Sequence, residues 1–325
     1  NSTAPDSIAV ANYPMLNVNG SSTSIKDYSV NQNNMTLTGP VFVSAGGPDN
    51  QGFYTFDGVN DFTSADKSIG IIGNARVSIE AYVQPASTSS TGAVVFLGNA
   101  FGSGASAFSL FLNFGATGSV SAAYANGLQA RSNSSILTTG EWYHMVITKS
   151  PGQINTNTHI YVNGINQTIA TGNTNTADFD NGAPRLGRFG TSSEYFEGNL
   201  SYVRVYNRTL TEEQVILLYT NQTTLVSDAE TSIGQTWQAC VTPNDATEDG
   251  AEVCSNNLTI VVLPAAPVVA NVILNATTLA NTTDDNLTVN FTVTDINGDS
   301  VKNITDFRLF NGTSFESIAV LNMPF

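Results

Sequence analysis

The sequence predicts an all-β chain: a jelly-roll sandwich with one short helix, joined to strands of smaller β-sandwiches. Two observations carry this. Short runs in which every second residue is apolar dominate the sequence, the period of a half-buried strand, and helical periodicity is almost absent. Gly and Asn clusters separate the runs, and Asn163-Gly164 stands between two of them as a strong hairpin signal. Composition agrees. Charged residues are 11 % of the 325, with 36 Asn, 38 Thr and 31 Ser in their place, and the 41 % hydrophobic content is ample for packed cores.

In chain order, clear alternation begins at 77–84 (VSIEAYVQ) and returns at 107–113 (AFSLFLN) and 141–149 (EWYHMVITK). The run 160–170 (IYVNGINQTIA) folds back at Asn163-Gly164, and 200–206 (LSYVRVY) closes the series. Residues 210–219 are the helix candidate: Thr211 with Gln214 forms a capping box, and Val215, Leu218 and Tyr219 share a face. So many short strands within about 210 residues give two sheets packed face to face. In 231–264, two alternating runs flank the turn-rich PNDATEDG, which makes a hairpin. Cys240 and Cys254 fall on its two arms, about equally far from the turn, and are expected to form a disulfide. LPAAP (263–267) is a stiff connector, followed by strands at 272–276, 286–294 and 305–310.

At this point the residues resemble a family. FDGVNDF (56–62), VSIEAYVQP (77–85), EWYHMVITK (141–149), IYVNG (160–164) and FEGNLSYVRVYNRTLTEEQVILLY (196–219) occur in the order of LamG-like domains, of the concanavalin A-like lectin/glucanase superfamily. The opening 13–40 is similar to that family's first segment. The resemblance implies a jelly roll over 7–220. It also implies calcium in a rim loop, where Asp57, Asn60 and Asp61 offer hard oxygens. The alternative is that Asp57-Gly58 simply makes a turn, and Ser201 stands where the family usually has an acid.

The family includes glycanases, which need two carboxylates facing each other across one bond. The Glu-x-Asp-x-x-Glu strand of that branch has no counterpart here. Glu248, Asp249 and Glu252 lie in a turn of a different domain, and Glu212 and Glu213 open a helix, where they complement its dipole. No enzyme is expected. His144, between Tyr143 and Met145, reads as a packed or surface histidine. Carbohydrate binding would use aromatic side chains such as Tyr124, Phe189 and Tyr195, for each of which burial is the competing fate.

The 231–264 hairpin resembles the last two strands of immunoglobulin-like domains common in archaeal and bacterial surface proteins, and 268–316 resembles their opening strands. Residues 1–15 and 311–325 share eight identities at an offset of 310: Asn1, Thr3, Ser7, Ile8, Ala9, Val10, Asn12 and Pro14 all recur. The expected organisation is therefore one period of a tandem array. Residues 1–6 end a preceding immunoglobulin-like region, 7–220 form the jelly roll, and 221–263 close an immunoglobulin-like domain. After the linker at 264–267, residues 268–316 open the next such domain, and 317–325 begin another jelly roll. A linker of five residues reaches at most about 17 Å, too short to bring the two halves together within one chain. They are expected to complete one another head to tail between identical neighbouring repeats or subunits. The second half would contribute Ile273, Leu287, Val289, Phe291, Val293 and Phe307 to the shared core.

Compartment follows from asparagine. N-x-[ST] sequons stand at Asn1, Asn19, Asn34, Asn133, Asn166, Asn199, Asn207, Asn221, Asn257, Asn275, Asn281, Asn286, Asn290, Asn303 and Asn311, a roughly twofold excess over chance. An extracellular, cell-surface glycoprotein is expected. The chain opens without Met or a signal peptide, which reads as a mature or excised fragment. A net charge of −15 disfavours nucleic acid as a partner. Two Cys and two His leave little for a zinc site. No apolar run approaches the roughly 20 residues of a membrane helix. The leading expectation is a structural repeat of a surface fibre, filament, sheath or surface layer that requires no cofactor. A carbohydrate-binding adhesin is the alternative.

Overall fold

The computed structural model describes residues 9–16, 23–48, 50–98, 106–190, 194–220, 226, 231–245, 248–261, 265–278 and 281–318. The chain divides into two compact units, Asn1–Thr231 with Thr236–Leu258, and Ser232–Gln235 with Thr259–Phe325.

The first unit opens with β1 (Ala11–Tyr13), β2 (Ser24–Ile25), β3 (Met35–Thr38), β4 (Val41–Val43), β5 (Phe53–Asp57) and β6 (Phe62–Ala65). The long central strands follow: β7 (Val77–Pro85), β8 (Gly92–Gly98), β9 (Ala107–Leu112), β10 (Val120–Ala123), β11 (Gln129–Ser132) and β12 (Tyr143–Lys149). After one helical turn, α1 (Ile154–Asn157), come β13 (Thr158–Val162), β14 (Ile165–Asn166), β15 (Ile169–Gly172), β16 (Arg185–Leu186) and β17 (Glu197–Tyr206), then α2 (Glu212–Tyr219). They form two antiparallel sheets. The first runs β14-β13-β12-β7-β17-β5-β4, with β1 also paired to β17, and the second runs β15-β11-β10-β9-β8-β16-β6-β3-β2. The expected all-β sandwich is present.

β7 shows why these residues make sheets. Val77, Ile79, Ala81 and Val83 all enter the main core, which they share with Val95, Leu97, Phe108, Leu110 and Leu112 of the second sheet. Alternation with period two is what puts one full side of a strand into such a core, and each buried aliphatic or aromatic side chain contributes about 1.5–3 kcal/mol. β17 has two partners along one edge. Residues 197–200 pair with β5, residues 203–205 pair with β1, and a bulge at Tyr202 (φ 46°) lies between them. Asp27 ties the amino-terminal segment down: buried, it accepts N–H bonds from Asn12, Ser29 and Asn33 and the Ser29 hydroxyl.

α2 carries the expected capping box between Thr211 and Gln214. Its Val215 joins Val146, Tyr161, Tyr206 and Leu210 in a small core on the outer side of the first sheet. The expectation of a single helix misses α1, whose four residues are too short for a periodic signal, although Ile154 is buried.

The expected hairpin carries β18 (Thr236–Trp237), β19 (Cys240–Val241), β20 (Val253–Cys254) and β21 (Leu258–Thr259). Cys240 and Cys254 lie directly opposite each other and are disulfide-bonded. Near the hairpin's tip, Asp249 forms an ion pair with Lys26 at 2.7 Å and accepts hydrogen bonds from the Tyr28 hydroxyl and Asn244.

The second unit contains β22 (Val268–Ala276) paired with β23 (Leu287–Thr294), and β24 (Arg308–Phe310) paired with β25 (Phe315–Ser317). The strand expected over 305–310 is shorter at its start. Register places Val269, Leu274, Leu287, Val289 and Val293 on one face of the β22–β23 pair. Alternation along β23 adds Phe291 to them. Ile273, expected in that set, lies opposite Asn290 on the other face. A bulge between Ala270 and Ile273 shifts the alternation by one residue there, with Asn271 in the left-handed region (φ 54°). Of the repeated end segments, 1–8 and 319–325 lie outside the described residues. Ala11 and Tyr13 of the first copy are buried in β1.

Candidate functional site

The loop proposed for calcium is built as a clasp. Asp57, at the end of β5, accepts the N–H groups of Val59, Asn60 and Asp61 on one carboxylate oxygen. Asp61 is buried and accepts the N–H of Asp57. Its other oxygen packs over Gly39, where any side chain would collide with it. The first two of those N–H bonds hold the Asp57 carboxyl below its ordinary range, while burial pushes Asp61 up. Carboxylate oxygens already accepting backbone N–H groups, with one acid shifted towards its neutral form, do not fit a calcium cage. Millimolar calcium is therefore expected to leave the thermal melt unchanged. A rise of several degrees that Asp57→Asn abolishes would count against this geometry.

The outer side of the first sheet holds a buried polar cluster that sequence reading missed. Glu80 of β7 is fully buried and meets both Arg204 (3.1 and 3.2 Å) and the Tyr206 hydroxyl (2.7 Å) from β17. His144 of β12 approaches Glu80 at 3.3 Å, its ring lying near those of Tyr82 and Tyr219. His144 is thus a packed histidine, 1 % exposed. Burial works to raise the Glu80 carboxyl, but Arg204 and then His144 and Tyr206 outweigh it and hold it down to about 2. Arg204 shifts upward: burial opposes its charge, and the Glu80 carboxylate overcomes that. The only hint in the sequence was an acid inside an apolar alternation.

The outer side of the second sheet carries one row of side chains across five strands. Pairing register aligns Thr36 of β3, Ser64 of β6, Arg185 of β16, Phe96 of β8 and Ser109 of β9. Thr36 is exposed, Ser64 and Arg185 are half-buried, and Phe96 and Ser109 are buried. The Arg185 guanidinium lies 5.8 Å from the Phe96 ring. Beside it, Arg188 sits 3.9 Å over the Phe62 ring and donates to Gly190 O and the Tyr195 hydroxyl. Of the aromatic candidates, Tyr124 is buried in the main core and bonded to Thr158. Phe189 packs on Phe96 and Phe111, and Tyr195 is half-buried beside Arg188.

The remaining candidates are spread apart. Asp249 is engaged by Lys26 and Tyr28, Glu252 accepts from Thr242, and the N–H of Glu248 donates to Asp245. Glu212 and Glu213 lie in the first turn of α2. Among the sequons, Asn1, Asn19 and Asn221 fall outside the described residues. The others are exposed except Asn199, which is half-buried and bonded to Gln84.

Residues 57–216 match the concanavalin A-like lectin/glucanases superfamily. The first unit therefore carries a concanavalin A-like domain. In structure it is similar to domain 4 of an extracellular arabinanase from Geobacillus stearothermophilus, solved with arabinotriose. That match has TM-score 0.48 and 18 % identity, over 66 % of this chain and 100 % of that one. It is also similar to a Trypanosoma rangeli sialidase, with TM-score 0.48 and 15 % identity, over 67 % of this chain and 33 % of that one. The binding domain of Paraclostridial Mosquitocidal Protein 1 gives TM-score 0.45 and 17 % identity, over 65 % and 52 %. The match thus spans only 33 % of the sialidase chain. No curated protein matches the sequence. No helix among the described residues is long and apolar enough to cross a membrane.

Proposed function

We propose that the chain is an extracellular, non-enzymatic structural unit of a surface fibre, sheath or layer, associating with further copies of itself through immunoglobulin-like strand completion. The apolar face of β22–β23 carries this reading. Val269 and Leu274 are 55 % and 57 % exposed, Leu287 is 58 % exposed, and β22 and β23 pair only with each other among the described residues. A two-stranded sheet with one apolar face is marginal in water until another sheet covers it. A second copy is the partner that fits this face, because the chain repeats its own β1 segment: residues 311–325 share eight of fifteen positions with 1–15. Exposed sequons and the 11 % charged composition support a glycosylated exterior.

Sedimentation velocity over a wide concentration range tests it. Self-association is expected, and Phe291→Lys should abolish it while the melt of the concanavalin A-like domain stays unchanged. A chain that remains monomeric at every concentration overturns the reading.

Carbohydrate binding by the concanavalin A-like domain is a second reading. It is supported by the row of hydroxyls and guanidinium on the outer side of its second sheet.

A further inference from the structure

The chain holds 11 basic residues against 26 acidic ones, yet Arg185 and Arg188 stand three residues apart on the same outer sheet face. Neither pairs with a carboxylate among the described residues. Arg188 is fixed by its two hydrogen bonds and by the Phe62 ring beneath it. The Arg185 guanidinium and the hydroxyls of Thr36 and Ser64 have no hydrogen-bond partner among the described residues. Adjacent strands lie about 4.8 Å apart, so β3, β6 and β16 offer two hydroxyls and a guanidinium in line over about 10 Å. Burial, and then the nearby Arg188 charge, both work against the charge on Arg185, a cost that a bound anion would relieve.

We propose that Thr36, Ser64 and Arg185, backed by Arg188, form a subsite for a hexuronate residue of an acidic oligosaccharide. The guanidinium takes the carboxylate in a two-pronged hydrogen bond, and the hydroxyls meet those of the sugar. A compact pair of arginines on a chain of net charge −15 suits one carboxylate of a short acidic glycan, not a dense polyanion. This rests on the carbohydrate-binding reading of the same domain.

Titration calorimetry of the full chain with trigalacturonate, and with its methyl ester, tests the assignment. The acid should bind at least about tenfold more tightly than the ester, as loss of one charge-assisted pair predicts. Arg185→Ala should remove that preference, and Arg185→Lys should restore part of it. Thr36→Val, at an exposed position, should weaken both ligands without touching the fold. Equal binding of acid and ester, acid binding unaffected by Arg185→Ala, or equal competition by inorganic sulfate overturns the subsite and leaves carbohydrate binding standing. Binding of neither oligosaccharide overturns both.

Discussion

Replacing Glu80 or Arg204 by Ala is expected to destabilise the concanavalin A-like domain by about 3–5 kcal/mol, the cost of leaving one buried charge without its partner. For a domain of this size that corresponds to a drop in Tm of roughly 10 °C. Glu80 is 0 % exposed and its carboxylate is held from β17 by Arg204 and Tyr206 and from β12 by His144, so no water replaces a lost partner cheaply. Replacing both charges at once, Glu80→Met with Arg204→Leu, should recover most of the loss, because two apolar side chains leave nothing unpaired. Thermal melts followed by circular dichroism decide it, and single variants within about 1 kcal/mol of wild type would remove the cluster's importance. Acid should act on the same group. Its carboxyl falls from 4.5 to about 2 on folding. The stability it adds is therefore complete above about pH 4.5 and lost as pH falls towards 2. Glu80→Gln should flatten that part of the pH profile.

Reduction of Cys240–Cys254 should open the 236–258 hairpin while sparing the sandwich. A loop of this length contributes about 3 kcal/mol through the restricted unfolded chain. The hairpin buries little apolar surface at this pair: Cys240, Val241, Val253 and Cys254 are all exposed. Its tip is held mainly by Asp249 on Lys26 and Tyr28. Proteolysis within 236–258 is expected to quicken by about a hundredfold on reduction, read by mass spectrometry of timed digests. The melt of the concanavalin A-like domain should not move. An unchanged cleavage rate would show that other contacts hold the hairpin closed.

Local chemistry was legible in the sequence. Alternating apolar residues located β7, β9, β12 and β17, the Thr211–Gln214 box located α2, and Asn163-Gly164 located the turn between β13 and β14. Symmetric placement about a turn was enough to pair Cys240 with Cys254. Each signal is local, none reaching further than the 14-residue separation of the two cysteines, so propensity and period suffice to read it.

Pairing register decided the rest, because it links residues far apart in sequence. Glu80 looks solvent-facing within VSIEAYVQ, and only the alignment of β7 with β17 sets Arg204 opposite it, 124 residues away. The same holds for Arg185, which gains Ser64 and Phe96 as neighbours only once β16 slots between β6 and β8. Asp57 and Asp61 read equally well as ligands or as a turn until their partners proved to be backbone N–H groups. Ile273 changed face because one bulge offsets a period of two. The sequence by itself determined that the chain is all-β, where β7, β9, β12, β17 and α2 lie, and which side of those strands is apolar. Tertiary structure alone decided which polar groups those strands bring together, since hydrogen-bond register between distant strands is set by packing of the whole core and leaves no local trace.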